Sequence, residues 1–228
     1  MLSYRLGADA LTRGRLARLL LVGATALAGL AVVALIAGSA PRRDDGRLTP
    51  SGTSAFRAGE LPRSIAGARA PRFALRDAHG GHVDTSALAG QPYVVTFLYT
   101  DCRDVCPLIA EELKQALHQL GARGREVSML AVTADPEGDT PAAVRAWLRR
   151  HRMPDSFHYL VGDRREVEGV WRTHYAAGQP RDRAESAHSA SIWLVDRRGR
   201  WRAKFSGGLP VAPADIAHDL RLLLDERS

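Results

Sequence analysis

The sequence is poor in the features that cross-link a small domain or mark a repetitive architecture. It has only two cysteines among 228 residues, so any disulfide or thiol chemistry must involve this one pair. It has no internal repeat, which excludes a solenoid or similar repeat array. Only two of its 32 basic side chains are lysines, and this preference for arginine, together with abundant alanine, indicates a genome-level composition bias rather than a binding patch.

The net charge of +7 does not indicate a nucleic-acid partner, because it is unevenly distributed along the chain. Residues 1–58 carry eight arginines and three aspartates, a net charge of +5. Residues 59–228 carry 24 basic and 22 acidic side chains, which leaves only +2. Most of the excess therefore lies beside an N-terminal apolar segment, where it can orient a membrane anchor or contact anionic lipid.

That apolar segment, residues 19–40, contains 22 uncharged residues rich in Leu, Val and Ala. A helix of this length spans roughly 33 Å, enough to cross the hydrocarbon core of a bilayer. Arginines precede it, which favours a cytoplasmic N-terminus and an exported C-terminal part. The alternative is a cleaved signal peptide, since Gly38-Ser39-Ala40 resembles a cleavage site, but the run is longer than a signal core of about 7–15 residues.

We therefore predict a short cytoplasmic basic segment at 1–18 and a transmembrane anchor at 19–40. The Pro-, Gly-, Ser- and Arg-rich stretch 41–70 is typical of a flexible linker. The expected location is the cell inner membrane, spanned once, with the C-terminal domain in the periplasm or an equivalent exported space. Residues 71–228 are enough for one domain with a sizeable core.

The domain alternates apolar runs with helical patterns. A hairpin is predicted around residues 73–83, with further strands at 93–99, 127–132, 157–161, 192–195 and 201–205. Helices are predicted from Pro107 to Leu120 and at 142–151, 164–175 and 213–225. This order predicts an α/β fold with a mixed sheet covered by helices on both faces, the thioredoxin-like arrangement.

The two cysteines, Cys102 and Cys106, directly follow the strand at 93–99 and begin a helix. This is the end of the sheet at which open α/β folds place their active sites. A helix N-terminus is expected to lower thiol pKa values, which favours thiolates that serve as nucleophiles or metal ligands. A structural disulfide is the alternative, but so short a loop constrains the unfolded chain little.

Three residues separate the cysteines, whereas dithiol exchange usually employs two. The wider spacing suits a thiophilic metal, and an added imidazole would let a copper site accept both Cu(I) and Cu(II). His188 is the leading candidate because it precedes the strand at 192–195, and loops before such strands approach the cysteine helix. His79 and His82 are the second choice. The other five are interpreted as surface or packing residues: His118, His151, His158, His174 and His218.

Three motifs in order resemble the Sco (SenC/PrrC) family of membrane-anchored copper proteins. Residues 99–107 read Tyr-Thr-Asp-Cys-Arg-Asp-Val-Cys-Pro, close to the family's Tyr-Thr-x-Cys-Pro-Asp-Val-Cys-Pro. Residues 135–141 read Asp-Pro-Glu-Gly-Asp-Thr-Pro, the family's Asp-Pro-Glu-x-Asp-Thr-Pro. Residues 187–190 read Ala-His-Ser-Ala ahead of a strand ending in Val-Asp, near the family's Asp-His-Ser/Thr pattern.

The resemblance implies a copper metallochaperone that assists assembly of the CuA centre of cytochrome c oxidase. It implies copper ligation by Cys102, Cys106 and His188, with Asp135 as a supporting acidic residue or simply a loop cap. Implied partners are the CuA-bearing oxidase subunit, other periplasmic copper chaperones or thiol reductants, and the membrane.

Two departures from the family pattern together lead us to expect weaker or more labile copper binding. Arg103 replaces the usual proline between the cysteines, and Ala187 replaces the acidic residue that can orient the imidazole. The extra positive charge of Arg103 by itself favours thiolate but opposes a bound cation, so it can shift the copper affinity either way. The alternative functions are a membrane-tethered thiol–disulfide oxidoreductase or peroxide-reducing enzyme, with Cys102 and Cys106 as the catalytic redox pair, and a redox or copper sensor. Whether the protein is an enzyme stays open at this point.

Overall fold

The apolar runs form one seven-stranded sheet in the computed structural model, which describes residues 55–59, 61–176, 178, 190–206 and 210–226. The strand order is β2-β1-β5-β4-β3-β6-β7. The strands are β1 (Ala74–Asp77), β2 (His82–Asp84), β3 (Tyr93–Leu98), β4 (Ser128–Thr133), β5 (Phe157–Val161), β6 (Ser191–Val195) and β7 (Trp201–Ser206).

The centre of the sheet is parallel and its margins are antiparallel. β4 pairs in parallel with β3 and with β5, whereas β1 and β6 run antiparallel to their central neighbours. Every residue of β3 is buried, as expected of a strand covered on both faces. The β-branched and aromatic residues that predict this strand therefore lie in the middle of the hydrophobic core.

In the described part of the chain, four helices cover the two faces: α1 (Val105–Leu120), α2 (Pro141–Arg150), α3 (Arg164–Thr173) and α4 (Pro213–Asp225), with short 3₁₀ turns at Thr85–Leu88 and Gly121–Glu126. The apolar side chains of α1, α2 and α4 share one core cluster with both cysteines, and those of α3 belong to the cluster on the other face. The predicted mixed sheet with helices on both faces is confirmed.

Local sequence signals explain where two of the helices begin. The Thr140 hydroxyl accepts a hydrogen bond from the Ala143 N–H, and Pro141 occupies the first turn of α2. Asp163 and Glu166 form a reciprocal capping box at the start of α3. α1 begins at Val105, two residues before Pro107, so Cys106 lies inside its first turn.

The described part of the predicted linker, 55–59 and 61–70, packs on the domain, so a flexible linker as far as residue 70 is wrong for these residues. Asp219 of α4 accepts hydrogen bonds from the backbone N–H groups of Arg57 and Ala58. Gly59 and Arg69 form β-bridges with β7 or its preceding turn, and three apolar residues of this segment are buried: Ala58, Leu61 and Ala70. Backbone pairing of this kind needs no apolar periodicity, so composition did not reveal it.

The predicted basic segment and anchor, 1–18 and 19–40, lie outside the described residues. None of the helices in the described part of the chain combines the length and apolar composition needed to cross a bilayer.

Candidate functional site

The cysteine pair lies where β3 ends and α1 begins. Both side chains are almost inaccessible, with Cys102 7% exposed and Cys106 0% exposed. The Cys106 N–H donates to the Cys102 Sγ at 3.3 Å, and the two cysteines are not joined by a disulfide. The turn of 99–102 is closed by the Cys102 N–H, which lies 3.3 Å from the Tyr99 carbonyl oxygen. The two sulfurs are therefore held together at the helix start, as the spacing predicts.

The acidity of the inner thiol differs from the sequence expectation. A hydrogen bond with Cys102 and burial raise the pKa of the Cys106 thiol far above its usual value. The prediction that the helix N-terminus lowers the pKa of these thiols is wrong for Cys106, because burial and the neighbouring sulfur outweigh the helix dipole. In the metal-free protein, Cys106 is a protonated thiol.

A buried carboxylate beneath the cysteine loop holds it in place. Asp139 is 3% exposed and accepts four hydrogen bonds through its two oxygens. Its Oδ1 accepts from the Thr100 N–H at 2.8 Å and from the Thr100 hydroxyl at 2.7 Å. Its Oδ2 accepts from the hydroxyls of Thr133, at 2.7 Å, and Tyr159, at 2.9 Å. One side chain thus joins the cysteine loop to β4 and β5.

Burial raises the pKa of Asp139, although the four donors oppose the shift. Sequence reasoning missed this residue as part of the site, because Asp139 reads as a helix-capping residue beside Thr140 and Pro141. The available signal was the motif at 135–141. Its second aspartate, Asp139, lies two residues before α2, just as its first, Asp135, lies two residues after β4.

Asp135, the predicted supporting residue, is buried at the same end of the sheet. Its neighbour Ala134 donates a backbone hydrogen bond to Leu98, the last residue of β3. The Asp135 Oδ1 accepts from the Gly138 N–H at 3.1 Å, and its own N–H donates to the Thr133 hydroxyl. These contacts fit a loop cap, and a supporting role beside the cysteines stays a prediction.

His188 and Ala187 lie outside the described residues. The nearest described residue, Ala190, packs against the core cluster that contains both cysteines and leads directly into β6. Within the described ranges, no three His, Cys, Asp or Glu side chains come together as a set able to hold a metal ion. The described residues therefore supply two sulfur donors at this site.

The second-choice histidines do not both belong to one cluster. His79 Nδ1 lies 3.2 Å from one oxygen of Asp77, and His158 Nδ1 lies 2.7 Å from the other. His82 instead lies opposite Arg76 in the antiparallel register of β1 and β2. His158 and His218, interpreted from the sequence as surface or packing residues, both contact carboxylates, since His218 Nδ1 lies 2.9 Å from Asp219.

A mixed sheet of this order, with a thiol pair between its central strand and the following helix, defines a thioredoxin-like thiol protein. The sequence model of the SCO1/SenC family matches residues 64–225, and the chain belongs to this family.

Two kinds of relative support this assignment. The mitochondrial SCO2 homologue of Bos taurus is 34% identical over 140 residues, which are 56% of this chain and 50% of the relative. The structure of Bradyrhizobium japonicum ScoI with copper bound has 31% sequence identity and a TM-score of 0.58, covering 68% of this chain and 99% of ScoI. BsSco, described as a member of the Sco family of cytochrome c oxidase assembly proteins, has the same fold at 20% identity and a TM-score of 0.61, covering 70% of this chain and 95% of BsSco.

Proposed function

We propose that this chain is a membrane-anchored copper metallochaperone that assists assembly of the CuA centre of cytochrome c oxidase. The observation that carries the proposal is the pair of cysteine sulfurs, Cys102 and Cys106, held together without a disulfide at the start of α1 in a member of the SCO1/SenC family. The copper-bound ScoI relative supports the choice of metal.

The donor set fits copper as cargo. Two cysteine sulfurs are soft ligands that select Cu(I), and an imidazole added to them suits Cu(II) as well. We assign the third ligand to His188. β6 runs antiparallel to β3 and begins at Ser191, so the chain enters the sheet at the end where β3 delivers the cysteines. Two extended residues span at most roughly 7 Å, which keeps His188 near the described Ala190.

Transfer of copper in this scheme is a ligand exchange. An incoming thiolate from the dicysteine centre of the oxidase subunit replaces one ligand at a time among Cys102, Cys106 and His188. The protons of the two thiols leave when copper binds and return when it departs. Asp139 keeps Thr100, and with it the start of the cysteine loop, in one position throughout. Reduced sulfurs are required, so a thiol reductant is an expected partner.

Anaerobic titration of the reduced full chain with Cu(I) and Cu(II) tests the proposal. We expect one equivalent of each ion to bind tightly, with sulfur-to-copper charge-transfer absorption for Cu(II). Cys106→Ser should abolish both complexes, and His188→Ala should abolish the coloured Cu(II) complex but retain Cu(I). His118→Ala, which removes an exposed imidazole of α1, is the matched control and should bind like wild type. Wild-type Cu(II) binding by His188→Ala would contradict the third-ligand assignment.

A thiol–disulfide oxidoreductase or a redox or copper sensor would use the same two sulfurs. The small exposure of Cys102 compared with the fully buried Cys106 favours Cys102 as the attacking thiol in that case. His188→Ala separates these functions, because a reductase keeps its activity without the imidazole. Reductase activity that survives His188→Ala, with copper binding absent from the wild type, would favour the oxidoreductase.

We also propose that the departures at Arg103 and Ala187 make copper more labile. Arg103 is exposed and adds a positive charge between the two sulfurs. An acidic residue beside a ligating imidazole orients the ring and raises its basicity, and outer partners of this kind are worth about 10–100-fold in metal affinity. Ala187→Asp should therefore slow Cu(II) loss to a chelator. Ala187→Asn supplies the polar control, and equal loss rates for wild type and Ala187→Asp would contradict the argument.

A further inference from the structure

Four arginines surround a pocket at the end of the sheet where β3 begins, opposite the cysteine pair. The pocket has a volume of about 110 Å³. Tyr93, the first residue of β3, lines it, whereas Cys102 follows the last residue of that strand. A six-residue strand separates the two by about 17 Å. The side chains that give the pocket its polar character are Arg69, Arg72, Arg197, Arg198, Ser86 and Tyr93.

The arginines come from two segments that the fold brings together. Arg69 and Arg72 precede β1 and are exposed. Arg198 is exposed in the turn between β6 and β7, and Asp196 fixes that turn by accepting hydrogen bonds from the N–H groups of Arg198 and Arg200 at 2.9 and 2.8 Å. This arrangement places three solvent-accessible guanidinium groups around one small concavity.

Arg197 contributes a charge that is held in place. Its Nη1 donates to the Gly90 carbonyl at 2.7 Å, and its Nη2 donates to the Leu224 carbonyl at 3.1 Å. Glu126 lies 3.4 Å from the same Nη2. The salt bridge with Glu126 offsets part of this charge, and Arg197 contributes the remainder beside the pocket.

No acidic side chain is among the described residues that line the pocket. Nearby acidic side chains act on residues of the pocket, since Asp84 interacts electrostatically with Arg72 and the charge of Asp196 acts on Tyr93. Asp84 accepts from the Ser86 N–H at 2.7 Å, and Asp196 accepts from the β6–β7 turn and from Arg202. The concentration of cations is therefore local, in a domain whose overall charge is close to balanced.

The geometry points to a binding site for a phosphate group. Guanidinium forks bind phosphate oxygens bidentately, and several of them match a group that carries more than one oxygen charge. The small volume admits one such group rather than an extended ligand. Burial, aided by the charge of Asp196, raises the pKa of Tyr93 to about 12. Its hydroxyl therefore stays protonated and able to donate, whereas the Ser86 hydroxyl donates to the Asp84 carboxylate.

The phosphate belongs either to an anionic lipid headgroup or to a free phosphate compound. A lipid headgroup bound here would turn this end of the sheet toward the bilayer. The opposite end of the sheet, which carries the cysteine pair, would then face away from the membrane. This binding site does not depend on the proposed copper function, because the pocket and the cysteine sulfurs lie at opposite ends of β3.

Two probes distinguish a lipid headgroup from a free phosphate compound. Both are tested on the full chain in an uncharged detergent that lacks phosphate. One is inorganic phosphate, and the other is short-chain phosphatidylglycerol below its micelle-forming concentration. Binding is measured by calorimetry and by ³¹P line broadening at constant ionic strength. We expect saturable binding of at least one probe, weakened about tenfold or more in the double variant Arg72→Gln/Arg198→Gln.

The matched control is Arg149→Gln/Arg165→Gln, which removes two exposed arginines of α2 and α3 and changes the net charge equally. It should bind both probes like wild type, and all proteins should melt at the same temperature without ligand. Binding of the lipid probe alone identifies a headgroup site, and binding of inorganic phosphate alone identifies a free-phosphate site. Binding of neither probe, equal losses in both double variants, or binding only of an acidic peptide such as hexaglutamate would overturn the proposal.

Discussion

Asp139 is the residue on which the position of the cysteine loop depends most directly. Its carboxylate accepts from the loop residue Thr100 through Oδ1 and from Thr133 and Tyr159 through Oδ2. Asp139→Asn keeps its one oxygen for the Thr100 N–H, which can only donate. Its NH₂ group then faces the Thr133 and Tyr159 hydroxyls, which lose their acceptor and must rotate. We expect this variant to lower the free energy of unfolding by about 1–3 kcal/mol.

Tyr159→Phe is the milder comparison, because it removes one donor and leaves Thr133 on the same oxygen. It should cost about 1 kcal/mol. Urea unfolding of the metal-free full chain at neutral pH measures both values. A larger loss for Tyr159→Phe than for Asp139→Asn would show that the loop does not depend on the carboxylate as proposed.

The sequence predicts the sulfur pair but only part of its surroundings. Cys102 and Cys106 are recognisable because few residue types carry this chemistry and because a buried strand precedes them. Asp139 is not recognisable in the same way, since its role depends on a tyrosine 20 residues later and a threonine 39 residues earlier. Such long-range hydrogen bonds are products of the fold and have no local pattern.

At the level of elements, the β1–β2 hairpin is joined to β5 by a carboxylate between two imidazoles. Burial acts to raise the pKa of Asp77, but hydrogen bonds and charges from His158 and His79 outweigh it and lower the pKa. A carboxyl group with a lowered folded pKa stabilises the fold above its unfolded pKa, near 3.9, and this stabilisation is lost as the pH falls through the folded value.

The free energy of unfolding of His158→Gln should therefore fall less than that of wild type below about pH 4, because the Asp77 pKa returns toward its usual value. The measurement is the free energy of unfolding in urea at a series of pH values. His82→Gln, in the same hairpin but paired with Arg76, is the control and should follow the wild-type profile. An unchanged profile for His158→Gln would exclude this ion pair as a source of acid sensitivity.

Elements were predictable to different degrees for a physical reason. The central strands and α1 have periodic apolar residues, because they are buried over their whole length or along one face. The segment at 55–70 has no such period, since it is held by two β-bridges, Asp219 and a few buried side chains. Pattern reasoning detects burial more readily than backbone pairing at the margin of a sheet.

Over the molecule as a whole, the described residues form two cores with different chemistry, one on each face of the sheet. The cluster with α1, α2 and α4 contains the thiols, whereas the opposite cluster surrounds a histidine with aromatic rings. His174 is 0% exposed and makes edge contacts with four of them: Phe73, Phe97, Trp193 and Trp201. Its Nδ1 lies 3.0 Å from the Val170 carbonyl, to which only an N–H can donate, so Nε2 is the unprotonated nitrogen.

Nε2 is buried and has no hydrogen-bond partner in the described part of the chain, so a second proton would be an unpaired charge in the core. Burial lowers the pKa of His174 to about 4. Above pH 6.5 the imidazole is neutral in both the folded and unfolded states, and its effect on stability is constant. Between pH 6.5 and 4 only the unfolded chain takes up the proton, which should cost the folded state about 3 kcal/mol by pH 4.

His174→Phe keeps an aromatic ring in this core and removes the titrating group. Whatever its stability at neutral pH, its free energy of unfolding should change much less than that of wild type between pH 6.5 and 4.5, where the Asp77 contribution is still intact. Urea unfolding across this range is the measurement, with His118→Phe, at an exposed position on α1, as the control. If His174→Phe loses as much stability as wild type over this interval, the acid sensitivity of the molecule has its origin outside the aromatic core.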